Sequence, residues 1–517
     1  MPIEDQKSQP VEVPPMDEFN QLLVNNVHPP DWVNPEPTGK YNLVVIGAGT
    51  AGLVTAAVAS ALGAKVALIE RHLMGGDCLN VGCVPSKGII RASRVWAEVK
   101  HAAEFGLHIP DGIKTDFSAA MARMRKLRAR ISHVDSAHRY KSLGVDVFIG
   151  QGCFTGPNSI EVAGKTLLFA KAAICTGARA AAPPIPGIEE AGYLTNETIF
   201  SLTELPARLA IIGAGPIGCE MAQAFARFGS EVYLVEAMHG ILPNEDRDAA
   251  EIVQHALVQD GVHLLCCGKD LKAISTNGEN QLVVDSHGQG YRIMFDEVLV
   301  AVGRAPNVQG LGLENINVEF DEKSGIKVND KLQTTNPNIY AAGDVCFPFK
   351  FTHTADALAQ IVIQNALFPH PFGLGYASTD SLIIPWCTYT EPEIAHVGMY
   401  ESEAKNKGQE VDTFTYQLHE VDRAILDGED QGFARVHVKK GTDTILGATI
   451  VATHAGDMIS EITLAMKGGL GLSTIAGTIH PYPTQAEVIK KVANTWRKTT
   501  FTEGKKKFLS KLFARMR

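Results

Sequence analysis

The sequence predicts an α/β protein with two open parallel-sheet domains of one design and a separate α+β domain after them. Three observations carry this. A unit of strand, glycine-rich turn, helix and second strand occurs at residues 42–70 and again at 209–236, with an acid the same distance beyond the first glycine each time. The segments Leu62-Gly63-Ala64-Lys65-Val66-Ala67-Leu68-Ile69-Glu70 and Phe228-Gly229-Ser230-Glu231-Val232-Tyr233-Leu234-Val235-Glu236 correspond position by position, as one repeated supersecondary unit would. Past Pro369-His370-Pro371 the pattern changes to strand-like runs at 383–390, 432–438 and 445–451, with helical periodicity at 457–467 and 485–497.

Composition sets the outer limits. With 517 residues, 45% of them hydrophobic and 20% charged, the chain affords three packed domains and is neither disordered nor fibrous. A net charge of -10 gives no pull toward nucleic acid. Nine cysteines spread through so long a chain, with no apolar signal segment near Met1, fit a reducing, cytoplasmic setting in which any disulfide is catalytic. No run of about twenty apolar residues predicts a transmembrane helix.

Residues 1–38 are proline-rich and read as an irregular arm, with a short amphipathic stretch at 19–27 able to dock on the body. The strand at 42–46 then enters Gly47-Ala48-Gly49-Thr50-Ala51-Gly52, a helix to residue 62 and a strand ending in Glu70. This is the βαβ dinucleotide fingerprint in its required context. Gly47 allows the tight turn, Gly49 lets backbone approach a pyrophosphate, Gly52 lets helix and strand pack, and Glu70 accepts from a ribose diol. The second copy supplies Gly213, Gly215, Gly218 and Glu236, so two dinucleotides are implied. A carboxylate at Glu236 suits a free 2′-hydroxyl and favours NADH, while His239 and Arg247 nearby keep NADPH possible.

Between the repeats, 117–143 reads as one long amphipathic helix with a solvated basic face, and 145–173 as a small antiparallel insert. Strands ending in turns at Gly177 and Gly303 close the two sheets. The strand Ile339-Tyr340-Ala341-Ala342-Gly343-Asp344-Val345 ends in an acid able to accept a hydrogen bond from a polyol, and a helix follows at 355–367. Directly after the first fingerprint comes Gly75-Gly76-Asp77-Cys78-Leu79-Asn80-Val81-Gly82-Cys83-Val84-Pro85-Ser86-Lys87. Cys78 and Cys83 are close enough to form a local disulfide at a helix start, where a thiolate is favoured. Half of a zinc site would have a similar spacing.

Together the two dinucleotide units, the cysteine pair and the Gly-Asp strand end resemble the flavoprotein disulfide reductases over residues 41–493. The segment 75–87 looks most like that of the dihydrolipoyl dehydrogenases and mercuric reductases, and Ile89-Ile90-Arg91-Ala92-Ser93 leans toward the latter. The resemblance implies FAD in the first fingerprint, NAD(P)H in the second, Asp344 on the flavin ribityl chain, and a homodimer formed by the last domain with the active site shared across the interface. It further implies that Cys83 faces the flavin, that Cys78 exchanges with substrate, and that Lys87 lies beside flavin N5 and pairs with Glu220. The expected domain plan is an arm at 1–38, the FAD-binding domain at 39–190 with a return segment at 309–375, the NAD(P)-binding domain at 191–308, the interface domain at 376–500 and a basic tail at 501–517.

One position departs from the pattern. Where dihydrolipoyl dehydrogenase carries a histidine paired with a glutamate, this chain has Tyr482, with Glu487 retained and His480 two residues before. An unperturbed phenol titrates near pH 10 and is a poor base at pH 7. Mercuric reductases resemble this chain in having tyrosine there, where a phenolate oxygen can contact the metal. The expected activity is therefore transfer of electrons from NAD(P)H through FAD to the cysteine pair and on to Hg(II) thiolates or a small disulfide, with dihydrolipoyl dehydrogenase as the alternative. No resident metal is expected. The vicinal Cys266-Cys267 pair, in an apolar run, reads as buried structure, and the C-terminal vicinal pair typical of mercuric reductases is not found. The tail at 505–517 reads as a solvated helix. Contact with a membrane surface through it, as in a flavoprotein redox sensor, is the alternative of another class.

Overall fold

The apolar run after the arm forms the strand Lys40–Ile46, the centre of a parallel sheet. It pairs on one side with Val66–Glu70 and on the other with Lys165–Ile174. Val145–Ile149 and Ile339–Ala341 extend the sheet at its two ends, also in parallel. A computed structural model describes residues 11–181, 184–276 and 278–517, and the chain divides into two units. The first comprises Met1–Gly213, Ala224–Val235 and Gly268–Leu382; the second comprises Ala214–Gln223, Glu236–Cys267 and Ile383–Arg517.

In the first unit the strand buries both faces, as parallel strands do. Leu43 and Val45 pack with Ala56, Leu358 and Val362 of the helices Thr50–Ala61 and Thr352–Leu367. Val44 and Ile46 pack on the other face with Phe148, Phe154 and Phe169. Each such side chain taken fully from water contributes about 1.5–3 kcal/mol. The chain leaves the central strand where its two neighbours diverge, so Gly47, Glu70 and Asp344 all come to the carboxyl edge, where open α/β sheets bind ligands. The second repeat forms Arg208–Ile212 between Glu231–Val235 and Glu297–Val300, again parallel. Gly177 and Gly303 immediately precede two short strands, Ala178–Ala180 and Arg304–Pro306, which pair with each other.

Three expectations change. Residues 117–143 form two helices, Phe117–Ser132 and Ala137–Ser142, because Ser136 adopts extended backbone and caps the second by accepting from Arg139 N. The basic face of the first is solvated only in part: Arg123, Lys126 and Arg130 are exposed, whereas Arg125 and Arg128 are buried. Residues 145–149 join the parallel sheet, leaving Cys153–Gly156, Ser159–Val162 and the start of Lys165–Ile174 as the antiparallel insert.

The arm contains a helix, Glu18–Val27, capped by Asp17, whose carboxylate accepts from Phe19 N and Asn20 N. Leu23, Val27 and Trp32 enter the first-unit core, and Trp32 Nε1 donates to Val147 O. The first ten residues of the arm lie outside the described residues.

The second unit carries a five-stranded antiparallel sheet in the order Pro385–Thr388, Glu393–Gly398, Ile445–Ala452, Phe433–Lys439, Val411–Gln417. Helices Ala455–Lys467, Leu472–Gly477 and Glu487–Thr499 contribute to its core. Two of the five strands, 393–398 and 411–417, lie outside the strand-like runs of the sequence, and the first is buried at five successive positions. Within it, His396 is fully buried, with Nδ1 2.8 Å from Thr449 Oγ1 and the ring stacked on Tyr400. Burial pushes its pKa down from 6.5 to about 3. An unfolded chain takes up that proton near 6.5 and the folded one only near 3, so stability falls as pH drops through this interval, each unit being worth about 1.4 kcal/mol. Urea unfolding followed from pH 7 to pH 4 should show this decline, and His396→Gln should flatten it; an unchanged slope in the variant would refute the assignment.

Candidate functional site

The fingerprint turn is fixed by close backbone contact. Gly47 has φ +99°, and a Cβ there would lie 2.4 Å from Cys175 O. At Gly52 a Cβ would lie 1.8 Å from Gly47 O, so the helix start leaves no room for a side chain. Gly49 is the residue before the helix Thr50–Ala61, whose exposed amides favour an anion. The acid is equally constrained. One oxygen of Glu70 accepts from Ala48 N at 2.7 Å and the other from His72 N at 2.8 Å, and burial raises its carboxyl above the ordinary range. The second copy repeats this atom for atom, with Glu236 accepting from Ala214 N at 2.7 Å and Met238 N at 2.9 Å. Gly213 repeats the left-handed turn, Gly215 has open space around it, and Gly218 lies in the helix Pro216–Phe228.

A cleft follows the carboxyl edge of the first sheet, lined by Gly47, Glu70, Gly150, Gly152, Thr176 and Asn307 among others. Gly177 shapes this wall through its carbonyl, which accepts from Asn307 N. Asp344 follows Gly343, whose Cβ would lie 3.3 Å from Ala51 Cβ in the fingerprint helix. The Gly-Asp strand end is thus packed against the nucleotide turn.

The cysteine segment folds as two helices, Gly76–Asn80 and Cys83–His101. Cys83 opens the longer one, Lys87 stands one turn later on the same face, and Cys83 Sγ lies 3.4 Å from Thr352 Oγ1. The adjacent Cys83 sulfur, together with burial, pushes the Cys78 thiol far above its ordinary range.

The segment is held from several sides. Gly75 N donates to Ala48 O at 2.8 Å, and Asn196 Nδ2 donates to Val81 O at 3.2 Å. Arg128 Nη1 donates to Asn80 O at 2.6 Å and its Nη2 to Asn20 Oδ1 of the arm at 2.7 Å. Burial lowers the Arg128 pKa to about 10. Arg125 Nε pairs with Asp17 at 2.6 Å, and Met74 N donates to Val27 O at 3.1 Å. The arm therefore braces the segment at its entry and between its cysteines. Arg304 joins the two halves of the site: its guanidinium bonds Asp77, next to Cys78, and its Nε lies 3.5 Å from Asp344 Oδ2. Burial opposes its charge, but Asp77 and Asp344 outweigh burial and hold its pKa above the ordinary value.

Sequence reasoning missed Arg304, Asp77, Thr352, Arg128 and Asn20. Only the position of Arg304 directly after Gly303 offered a signal; the others meet their partners across long chain separations.

Lys87 belongs to the first unit and Glu220 to the second. Glu220 is buried and accepts from Tyr389 N at 2.9 Å. Tyr482 is 70% exposed, and its hydroxyl donates to Asp422 Oδ2 at 2.9 Å. That bond, with the charge of Asp422 and a smaller effect of Glu487, raises the phenol pKa above its ordinary value. Glu487 opens the helix Glu487–Thr499. His480 Nε2 is 2.9 Å from Glu461 Oε1. The Cys266-Cys267 pair is not buried structure: both are half-exposed, because Cys267 takes a left-handed backbone (φ +54°) that turns the chain, and its sulfur lies 3.6 Å from His239 Nδ1.

The family model "Pyridine nucleotide-disulphide oxidoreductase" matches residues 41–360, and the corresponding dimerisation domain matches 384–493. The chain belongs to the pyridine nucleotide-disulphide oxidoreductases. These enzymes use FAD and NAD(P)H, and the dimerisation domain supports a homodimer. The chain is 35% identical to a mercuric reductase of Staphylococcus aureus over 89% of its length and 83% of that protein's. It is 31% identical to a dihydrolipoyl dehydrogenase of Bacillus subtilis, over 88% and 97% of the two chains. A solved Cu(II) complex of the HOCl-induced flavoprotein disulfide reductase RclA from Escherichia coli shares its fold with a TM-score of 0.76 at 30% identity, covering 87% of this chain and 99% of that one.

The first cleft of this oxidoreductase fits FAD: a Cβ-free turn for the pyrophosphate, a fixed carboxylate at Glu70 for a ribose diol, and Asp344 at the same sheet edge. Gly52→Ala should weaken FAD binding by more than about tenfold, or about 1.4 kcal/mol. Flavin retained per folded chain after gel filtration measures this; full retention would refute the close-contact argument.

Proposed function

We propose that this oxidoreductase passes electrons from NADH through FAD to the Cys78–Cys83 pair and on to Hg(II) held as a thiolate complex. The observation carrying the proposal is Tyr482, an exposed phenol bonded to Asp422 at the position where a dithiol oxidant needs a base. Its raised pKa keeps it protonated at pH 7, so it does not take a proton from a dithiol substrate. Mercury exchange needs no such base. When Cys78 attacks a bis-thiolate complex, its proton leaves with the displaced thiol. FAD, when bound, supplies the two-electron relay between the nicotinamide and the cysteine pair. The balance is one NADH and one proton consumed per Hg(II), giving NAD+, elemental mercury and two thiols. Lys87, one turn beyond Cys83, supplies positive charge where negative charge accumulates. Exposed Tyr482 fits an active site shared across a homodimer interface.

A second reading, dihydrolipoyl dehydrogenase, is favoured by the His480–Glu461 pair, an imidazole oriented by a carboxylate. A panel of Hg(II) bis-thiolate, lipoamide and glutathione disulfide separates the two. Mercury-dependent NADH oxidation that exceeds lipoamide reduction is expected. Brisk lipoamide reduction without mercury turnover would overturn the proposal. Tyr482→His should raise dihydrolipoamide oxidation by about 10²-fold or more, the usual contribution of a placed base; no gain would remove the argument from Tyr482.

Glu236, with its carboxylate fixed by two amides, supports a preference for NADH. The ratio of kcat/KM for NADH to that for NADPH should exceed about ten and narrow in Glu236→Ala, since a repulsive contact is worth at least about 1.4 kcal/mol. A ratio below one in the parent enzyme would contradict this.

A further inference from the structure

The helix Glu503–Arg515 buries none of its residues. Its Thr502 cap accepts from Lys505 N, and Lys505 Nζ donates to Thr500 O at 2.8 Å, so it is a formed element. Phe508, Leu509, Leu512, Phe513 and Met516 stand at i, i+1, i+4, i+5 and i+8, which places all five on one stripe. Phe508 is 68% exposed and Met516 75%. Residues 503–517 also carry six Lys and Arg against one acid, Glu503, in a chain whose net charge is -10. A helix evolved only for water has no use for such a stripe, and a nucleic-acid contact has no use for its apolar side chains.

We propose that this terminal helix docks the enzyme on an anionic lipid surface, with its apolar stripe at the acyl boundary and Lys506, Lys507, Lys511 and Arg515 among the headgroups. Charge complementarity selects this occupant over a second copy of the chain. Two such helices would oppose five cations to five, and the matched dimerisation domain ends at residue 493, before the helix begins. The proposal does not depend on which electron acceptor the enzyme uses.

Flotation of the full-length, FAD-loaded enzyme with vesicles tests it. Binding is expected to vesicles of phosphatidylcholine with phosphatidylglycerol, and not to phosphatidylcholine alone, and it should fall steeply as salt is raised. The quadruple variant Lys505→Glu, Lys506→Glu, Lys507→Glu, Lys511→Glu should lose more than about a hundredfold in affinity. Phe508→Ser with Phe513→Ser, which leaves the charge unchanged, should lose at least about tenfold. NADH turnover should be unaltered in both. Failure to bind anionic vesicles, equal binding to neutral ones, or binding of duplex DNA in their place would overturn the proposal. So would a shift from dimer to monomer in sedimentation of the serine variant, which would assign the stripe to a second copy.

Discussion

Arg304 is the interaction on which the first unit's site depends. Its guanidinium bonds Asp77, beside Cys78, and lies against Asp344 at the end of a sheet strand. Two carboxylates gathered at a partly buried edge repel each other unless a cation stands between them. The cysteine segment and the Gly-Asp turn are separate in sequence, so one side chain ties the two together. Thr352, against Cys83, adds a third segment to the same small volume.

The arm adds a constraint outside the matched family segment, which begins at residue 41. Arg128 divides its donors between Asn80, inside the cysteine segment, and Asn20, in the arm helix. A buried guanidinium is costly unless its donors are accepted, and here the acceptors lie on two segments that must both be in place. The geometry of the cysteine pair is thereby coupled to the docking of residues that the sequence marks only as an irregular arm.

Much of this was legible in the sequence, for physical reasons. Gly47, Gly52 and Glu70 announce themselves because the turn, the close packing and the acid each require one residue type at one spacing. Cys78, Cys83 and Lys87 were legible as a local motif. The single long helix at 117–143 was misread because its periodicity continues through Ser136, which takes an extended backbone. Arg125 and Arg128 depart from the solvated reading because their acceptors lie 48 to 108 residues earlier. Arg304 could not be assigned from sequence, since neither of its carboxylate partners is local.

The paired latch formed by Glu70 and Glu236 has a consequence for how cofactor choice can change. Each acid closes its own turn by holding the amide before the second fingerprint glycine and an amide two residues beyond itself. Closure of each loop thus rests on the same carboxylate that the proposed ribose recognition would use. A replacement that removes the Glu236 carboxylate also releases Ala214 and Met238, so a shifted nucleotide preference comes with a loosened turn unless a second change re-anchors those amides. The duplication gave both halves the same restriction, and each must escape it independently.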